Sequence, residues 1–295
     1  MGDQFFVFIN GEYVKREDAK ISVFDHGLLY GDGLFEGIRA YNGRVFRLAE
    51  HIDRFYNCAK MLLIDIPYKK EELTEIVLET CKRNNLRSTY IRLVATRGGD
   101  DLGLIPLKPA APTVFCIAEP VQLYPEEYYE KGLEVVTSTF RRNKATIIDP
   151  QLKSLNYLNN ILAKYEGAAQ GCAEAIMLNH DGIVAECTGD NLFIVKNGIV
   201  FTPPIYIGAL DGITRGAVIE ICEKLGIPCA EKEFTLYNVY SADECFLTGT
   251  AAEVIAVTMA DKRVIGGGSA GPVTTRILKA FRELVNTTGA EIYQP

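Results

Sequence analysis

The stretch DPQLKSLNYLNN (149–160) carries one lysine, Lys153, between Leu152 and Leu155, with Tyr157 four residues on. A lysine in poorly solvated surroundings has its pKa lowered and becomes a nucleophile able to form a Schiff base with a carbonyl compound. Other polar residues stand at the edges of apolar runs. Glu186 ends the run IVAE, where a carboxylate is costly without a cation or a hydrogen-bond donor; the alternative is a strand end in solvent. Thr214 precedes the periodic part of LDGITRGAVIEICEKLG (210–226) in an N-cap position. That makes either an ordinary capped helix or an anion seat built from free N–H groups. In FLTGTAAEV (246–254), Thr248, Gly249 and Thr250 end a strand in a plain turn or in an anion-binding concavity. Arg54, in EHIDRF, suits a phosphate, or pairs with Glu50 one turn back. A nucleophilic lysine, an acid able to hold a proton on a pyridine nitrogen and a cup for phosphate make up the parts of a pyridoxal phosphate site.

Other chemistries lack their parts. The glycines of GDGLFEG (31–37) miss the dinucleotide-binding spacing, and IGGGSAGP (265–272) lacks the Lys-Ser/Thr of a phosphate loop, so both read as turns. Eight cysteines without a CxxC pair and only three histidines argue against zinc and for reduced thiols in the cytoplasm. The net charge of −7 argues against a nucleic-acid or anionic-membrane surface. No apolar run approaches the ~18 residues of a membrane span, and no basic-then-apolar leader opens the sequence.

The elements that must position these groups follow from periodicity. FFVFINGEYVKRED is a hairpin turning at Asn10-Gly11. Residues 48–63 and KEELTEIVLETCKRNN have helical spacing, and TYIRLVATRG and PTVFCIAEPV read as strands. Residues 1–118 therefore form a small antiparallel-sheet α/β sandwich, 119–131 a connector, and 132–295 a larger β-rich domain with helices near 155–169, 214–225 and 273–287. Ser154 is expected to start the first of these, with Leu155, Leu158 and Leu162 packing inward. Without βαβ alternation the class is α+β rather than doubly wound.

The run Glu186-Cys-Thr188-Gly-Asp-Asn191-Leu192-Phe193, then Val200-Phe-Thr202, then Leu210-Asp-Gly212-Ile213-Thr214-Arg215, resembles the signature of class IV aminotransferases, the fold-type IV pyridoxal phosphate enzymes. FDHGLLYGDGLFEGIRAYNG, HIDRF, KSLNYLNN and LTGTAAEV follow in family order, so the resemblance spans the chain. GDGLFEGIRAY and TYIRLVATRG are most similar to the branched-chain amino-acid aminotransferases. The resemblance implies a large pseudobarrel domain and pyridoxal 5'-phosphate bound covalently to Lys153. It implies that Glu186 pairs with the pyridine nitrogen and Tyr157 with the phenolic oxygen. On the same resemblance Arg54, Ile213, Thr214 and Thr250 would bind the phosphate, and Leu210 would pack on the ring. Tyr30, Phe35, Gly37, Tyr90 and Arg92 would line the substrate side, and the Thr250-Ala251 turn would receive the α-carboxylate. The implied reaction passes nitrogen from Leu, Ile or Val to 2-oxoglutarate, in a homodimer or dimer-based hexamer.

Two relatives of the same fold are rivals. D-amino-acid transaminases carry an Arg-x-His pair after the TRG strand, where this sequence has Asp100, Asp101 and Leu102. Aminodeoxychorismate lyase shares the lysine but eliminates pyruvate; FEGIRAY and the Tyr90/Arg92 pair argue against it.

Overall fold

The computed structural model describes residues 5–99, 101–105, 111–120 and 124–293. Asp100 and positions 121–123 of the expected connector lie outside these. The fold is α+β, and the chain divides into two compact units. The first comprises Met1–Val121, Leu152–Asn156 and Val285–Pro295; the second comprises Gln122–Gln151 and Tyr157–Leu284. No single cut in the sequence separates them, whereas the sequence reading placed both Lys153 and the C-terminus in the later domain. Two pairings explain the return of these segments. Ser154 bridges Leu34, and Ala290–Glu291 pairs with Arg44–Val45, all within the first unit.

The first unit holds a seven-stranded antiparallel sheet centred on Gly33–Tyr41 and Thr89–Thr96. Its hairpin Phe6–Ile9/Glu12–Lys15 turns on Asn10 and Gly11, both at positive φ (47° and 96°), as a tight two-residue turn requires. Helix Leu48–Leu62 buries Leu48, Ile52, Phe55 and Ala59 of the stripe expected from spacing against a core with Leu34, Ile38, Ile91 and Leu93; Leu62, also expected there, is half-buried, and Leu63 is the exposed C-cap. Alternation along Gly33–Tyr41 therefore puts Glu36 on the core face with Leu34 and Ile38, and Phe35 and Gly37 on the other. Of the first glycine cluster only Gly31 is a turn residue, capping helix His26–Tyr30 at φ 68°; Gly33 and Gly37 lie in the strand.

The second unit holds a nine-stranded mixed sheet. Val184–Cys187 forms one edge of its order and pairs with Glu174–Leu178, while Asn191–Lys196 pairs with Glu244–Gly249. The core gathers Leu133, Ile176, Leu192, Leu247 and Ile255. Helix Leu158–Ala169 starts four residues later than expected. It packs with Asn160, Ala163 and Gly167, and leaves Leu158, Ile161, Leu162 and Tyr165 exposed. Leu158 and Leu162, expected to pack inward, thus lie on an outward stripe, while Leu155 precedes the helix and is half-buried beside Gly33. The small residues of the opposite face admit the close approach to strand Glu174–Leu178: a Cβ added at Gly167 would sit 3.2 Å from the Glu174 carbonyl oxygen.

Candidate active site

In the first unit, Lys153 is held by its backbone. The Phe35 N–H donates to the Lys153 carbonyl at 3.0 Å, and the Leu155 N–H to the Gly33 carbonyl at 2.9 Å. The segment is an extra rung on strand Gly33–Tyr41 rather than the start of a helix. The Lys153 N–H donates to Cys58 Sγ at 3.5 Å, and Nζ lies 4.5 Å from the centroid of the Phe35 ring. A cation over an aromatic face is stabilised by the ring quadrupole. The Arg92 guanidinium also lies 4.5 Å from that centroid, and its Nη2 donates to the Tyr90 hydroxyl at 3.2 Å. Arg92 faces Gly37 across the sheet, and a Cβ at Gly37 would collide with the Tyr90 hydroxyl. Phe35, Gly37, Tyr90, Arg92 and Lys153 are thus one cluster. Tyr30 is used differently: its hydroxyl donates to the Leu102 carbonyl at 2.7 Å, next to the Asp101 carbonyl oxygen, which lies 3.1 Å from His26 Nε2.

Arg54 does not pair with Glu50. Its Nε and Nη2 donate to the two oxygens of Glu36 at 2.7 and 2.8 Å, and His51 Nδ1 lies 2.8 Å from Glu36 Oε2. Burial alone would raise the Glu36 carboxyl, but the Arg54 guanidinium and the His51 hydrogen bond bring it down to about 2. Burial lowers the His51 pKa against the pull of Glu36, so His51 stays neutral near pH 7. The sequence reading missed Glu36 and His51. The signal available was an acid at the core-facing phase of an apolar strand, which demands a cation.

In the second unit, Glu186 lies in a strand that is buried throughout and is itself 5% exposed, which removes the solvent-exposed alternative. Oε1 pairs with Arg142 Nη2 at 2.6 Å. Oε2 accepts from Asn191 Nδ2 at 3.1 Å and from the Leu210 N–H at 3.0 Å. Asn191 Nδ2 also donates to the Leu210 carbonyl at 2.9 Å, so Leu210 is fixed through both its N–H and its carbonyl. Arg142 was missed too; nothing in FRRNK distinguishes it from a surface arginine.

Helix Ile213–Lys224 begins one residue earlier than expected. Gly212 is the N-cap and Thr214 the second helical residue, so no side chain caps the first turn. Gly212 is tightly placed: a Cβ would run into Asn191 Oδ1. Thr248 pairs directly with Asn191 across the sheet, so the two side chains share a face. Thr248 Oγ1 is buried with no hydrogen-bond partner among the described residues, and Thr250 and Ala251 follow in a half-buried three-residue turn between paired strands. An uncapped helix start and an orphaned hydroxyl fit an anionic group such as a phosphate. Tyr157 precedes helix Leu158–Ala169 and is half-buried. Among the described residues no cluster of His, Cys, Asp or Glu could hold a metal ion.

The family model for class IV amino-transferases matches residues 33–260, most of the chain. The chain belongs to the class IV aminotransferases. A protein of Methanocaldococcus jannaschii is 50% identical over 287 residues, 97% of this chain and 99% of its own. The branched-chain-amino-acid aminotransferase of Escherichia coli (strain K12) is 38% identical, covering 94% of this chain and 91% of its own. Two solved structures are also similar to this class IV chain. The E. coli branched-chain amino acid aminotransferase gives a TM-score of 0.95 at 36% identity, with 98% of this chain and 100% of that one covered. The T.th. branched-chain amino acid aminotransferase, solved with pyridoxamine 5'-phosphate, gives 0.92 at 42% identity, with 96% and 94% covered.

Proposed function

We propose that this class IV aminotransferase binds pyridoxal 5'-phosphate and moves the amino group of L-leucine, L-isoleucine and L-valine to 2-oxoglutarate. The observation that carries the reading is the buried Glu186 carboxylate, fixed by Arg142, Asn191 and the Leu210 N–H. When bound, the cofactor supplies an electron sink for the carbanion formed at the substrate's Cα. Glu186 holds a proton on the ring nitrogen. Lys153 anchors the cofactor, and its Nζ then takes the Cα proton and returns it at the cofactor's C4′. Tyr157 donates to the phenolic oxygen. Arg54, the Ile213 N–H, Thr214 and Thr250 hold the phosphate, and Leu210 packs on the ring. The Thr250-Ala251 turn receives the α-carboxylate. Phe35 and Gly37 give the substrate side chain an apolar wall and room, while Tyr30, Tyr90 and Arg92 border it.

The similarity to branched-chain enzymes, at 36–42% identity in the structures above, supports this substrate class over D-amino acids or aminodeoxychorismate. The enzyme in this reading is cytoplasmic and a homodimer or dimer-based hexamer. All eight cysteines are unbridged, and the stripe Leu158, Ile161, Leu162 and Tyr165 offers apolar surface for assembly. No helix among the described residues is long and apolar enough to cross a membrane. The deciding experiment presents the cofactor-loaded protein separately with L-leucine, D-alanine and aminodeoxychorismate and follows its visible spectrum. Conversion to the amine form by L-leucine alone is expected; conversion by D-alanine alone overturns the reading.

A further inference from the structure

We propose that Arg142 is a positioning residue for Glu186, and that it sets the charge presented to the ring nitrogen of a bound cofactor. The inference rests on the role given to Glu186 above. Arg142 is 6% exposed and uses every guanidinium nitrogen. Nη2 meets Glu186 Oε1 at 2.6 Å, Nε donates to the Gly208 carbonyl at 3.1 Å, and Nη1 donates to Asn160 Oδ1 at 3.0 Å. Asn160 is set in turn by its own bond to the Thr188 carbonyl at 2.7 Å, and the Arg142 backbone N–H donates to the Leu178 carbonyl at 2.9 Å. A planar fork with three fixed partners cannot swing, so Glu186 Oε1 is held in one place. Asn191 and the Leu210 N–H hold the other oxygen.

Geometry and charge act together here. A carboxylate as buried as Glu186 gains proton affinity from desolvation, and a cation in contact opposes that gain. With Arg142 in place Glu186 remains the anion, and a proton on the ring nitrogen stays there. Without Arg142 that proton passes to Glu186: the ring N–H bond breaks, a carboxyl O–H bond forms, and both partners become neutral. The ring then withdraws electrons less strongly. Three neighbouring groups do not replace Arg142: Asn191 and the Leu210 peptide are neutral donors, and Asp190, whose carboxyl feels the Glu186 charge, is itself an acid.

The test loads wild type, Arg142→Gln, Arg142→Lys and Glu186→Gln with cofactor labelled with ¹⁵N in its ring, and records the nitrogen chemical shift from pH 6 to 9 together with kcat and KM for L-leucine. Wild type is expected to show a protonated nitrogen throughout. Arg142→Gln should move the shift toward that of a neutral ring and lower kcat about tenfold or more with little change in KM. Arg142→Lys, which keeps the charge and loses the fork, should restore the nitrogen shift but not kcat. A wild-type shift in Arg142→Gln overturns the proposal. Should that variant not fold, Arg142→Lys decides alone: wild-type kcat there overturns positioning. If Glu186→Gln leaves the shift unchanged, the role of Glu186 itself falls, which is a different failure from that of Arg142.

Discussion

Glu36 takes two hydrogen bonds from Arg54, Oε1 from Nε at 2.7 Å and Oε2 from Nη2 at 2.8 Å, with the carboxylate fully buried. The arginine proposed to meet the phosphate is thus oriented from inside the fold by an acid on a neighbouring strand. Glu36→Gln breaks an ion pair whose carboxylate is fully buried and whose guanidinium is half-buried, a loss that typically costs about 3–5 kcal/mol. Urea unfolding at pH 7 should show that loss, and titration with pyridoxal 5'-phosphate should show weaker binding. Unchanged cofactor affinity would detach Arg54 from the phosphate.

The same carboxylate gives a pH signature. Its pKa in the fold is about 2, against an ordinary value of 4.5. A depressed acid contributes stability that is present above the unfolded pKa and is lost as pH falls through the folded one, so wild type should lead Glu36→Gln fully at pH 6 and progressively less from about 4.5 down to 2. Unfolding free energies of the pair across that range check it; a constant gap contradicts it.

Asp190 works in the opposite direction. Burial and the charge of Glu174 push its carboxyl from 3.8 to about 7. Between those values the folded chain holds a proton that the unfolded chain has released, so stability falls as pH rises from about 4 to 7. Asp190→Asn should remove this slope, and the variant should gain on wild type over that interval. Parallel stability curves for the two proteins would refute the shift.

Lys153→Ala should retain its fold, because the segment is pinned by main-chain bonds to Phe35 and Gly33 rather than by the side chain. It should lose transamination and covalent capture of the cofactor. Borohydride treatment followed by mass measurement reads the capture directly, and persisting turnover would assign the base elsewhere.

Gly37→Ala should disturb the substrate side selectively. The added methyl meets the Tyr90 hydroxyl, which Arg92 also binds. Overpacking of this kind costs about 1–3 kcal/mol. KM for L-leucine should rise while cofactor binding holds; an unmoved KM would place the substrate away from Gly37.

Legibility in the sequence followed the range of the interactions. The hairpin at Asn10-Gly11 and helix Leu48–Leu62 were readable because turn chemistry and the 3.6-residue period are local. Lys153 and Glu186 stood out because each is polar in apolar company. The partners that hold the site's charges were hidden. Arg142 is 44 positions before Glu186, and Glu36 is 18 before Arg54. Only sheet order and strand phase bring them together. The helix boundary at Leu158 was misplaced because exposed leucines mimic a core stripe when the opposite face is built from Ala163 and Gly167.

Gly212 leans on Asn191 Oδ1 while the Nδ2 of the same amide holds Glu186. Drift at the helix start is therefore chained to drift at the acid. Any side chain at 212 must evict Asn191, and evicting Asn191 unsettles Glu186. A change at 212 is thus felt at 186 through 191, so three positions spread from 186 to 212 behave as one mechanical unit.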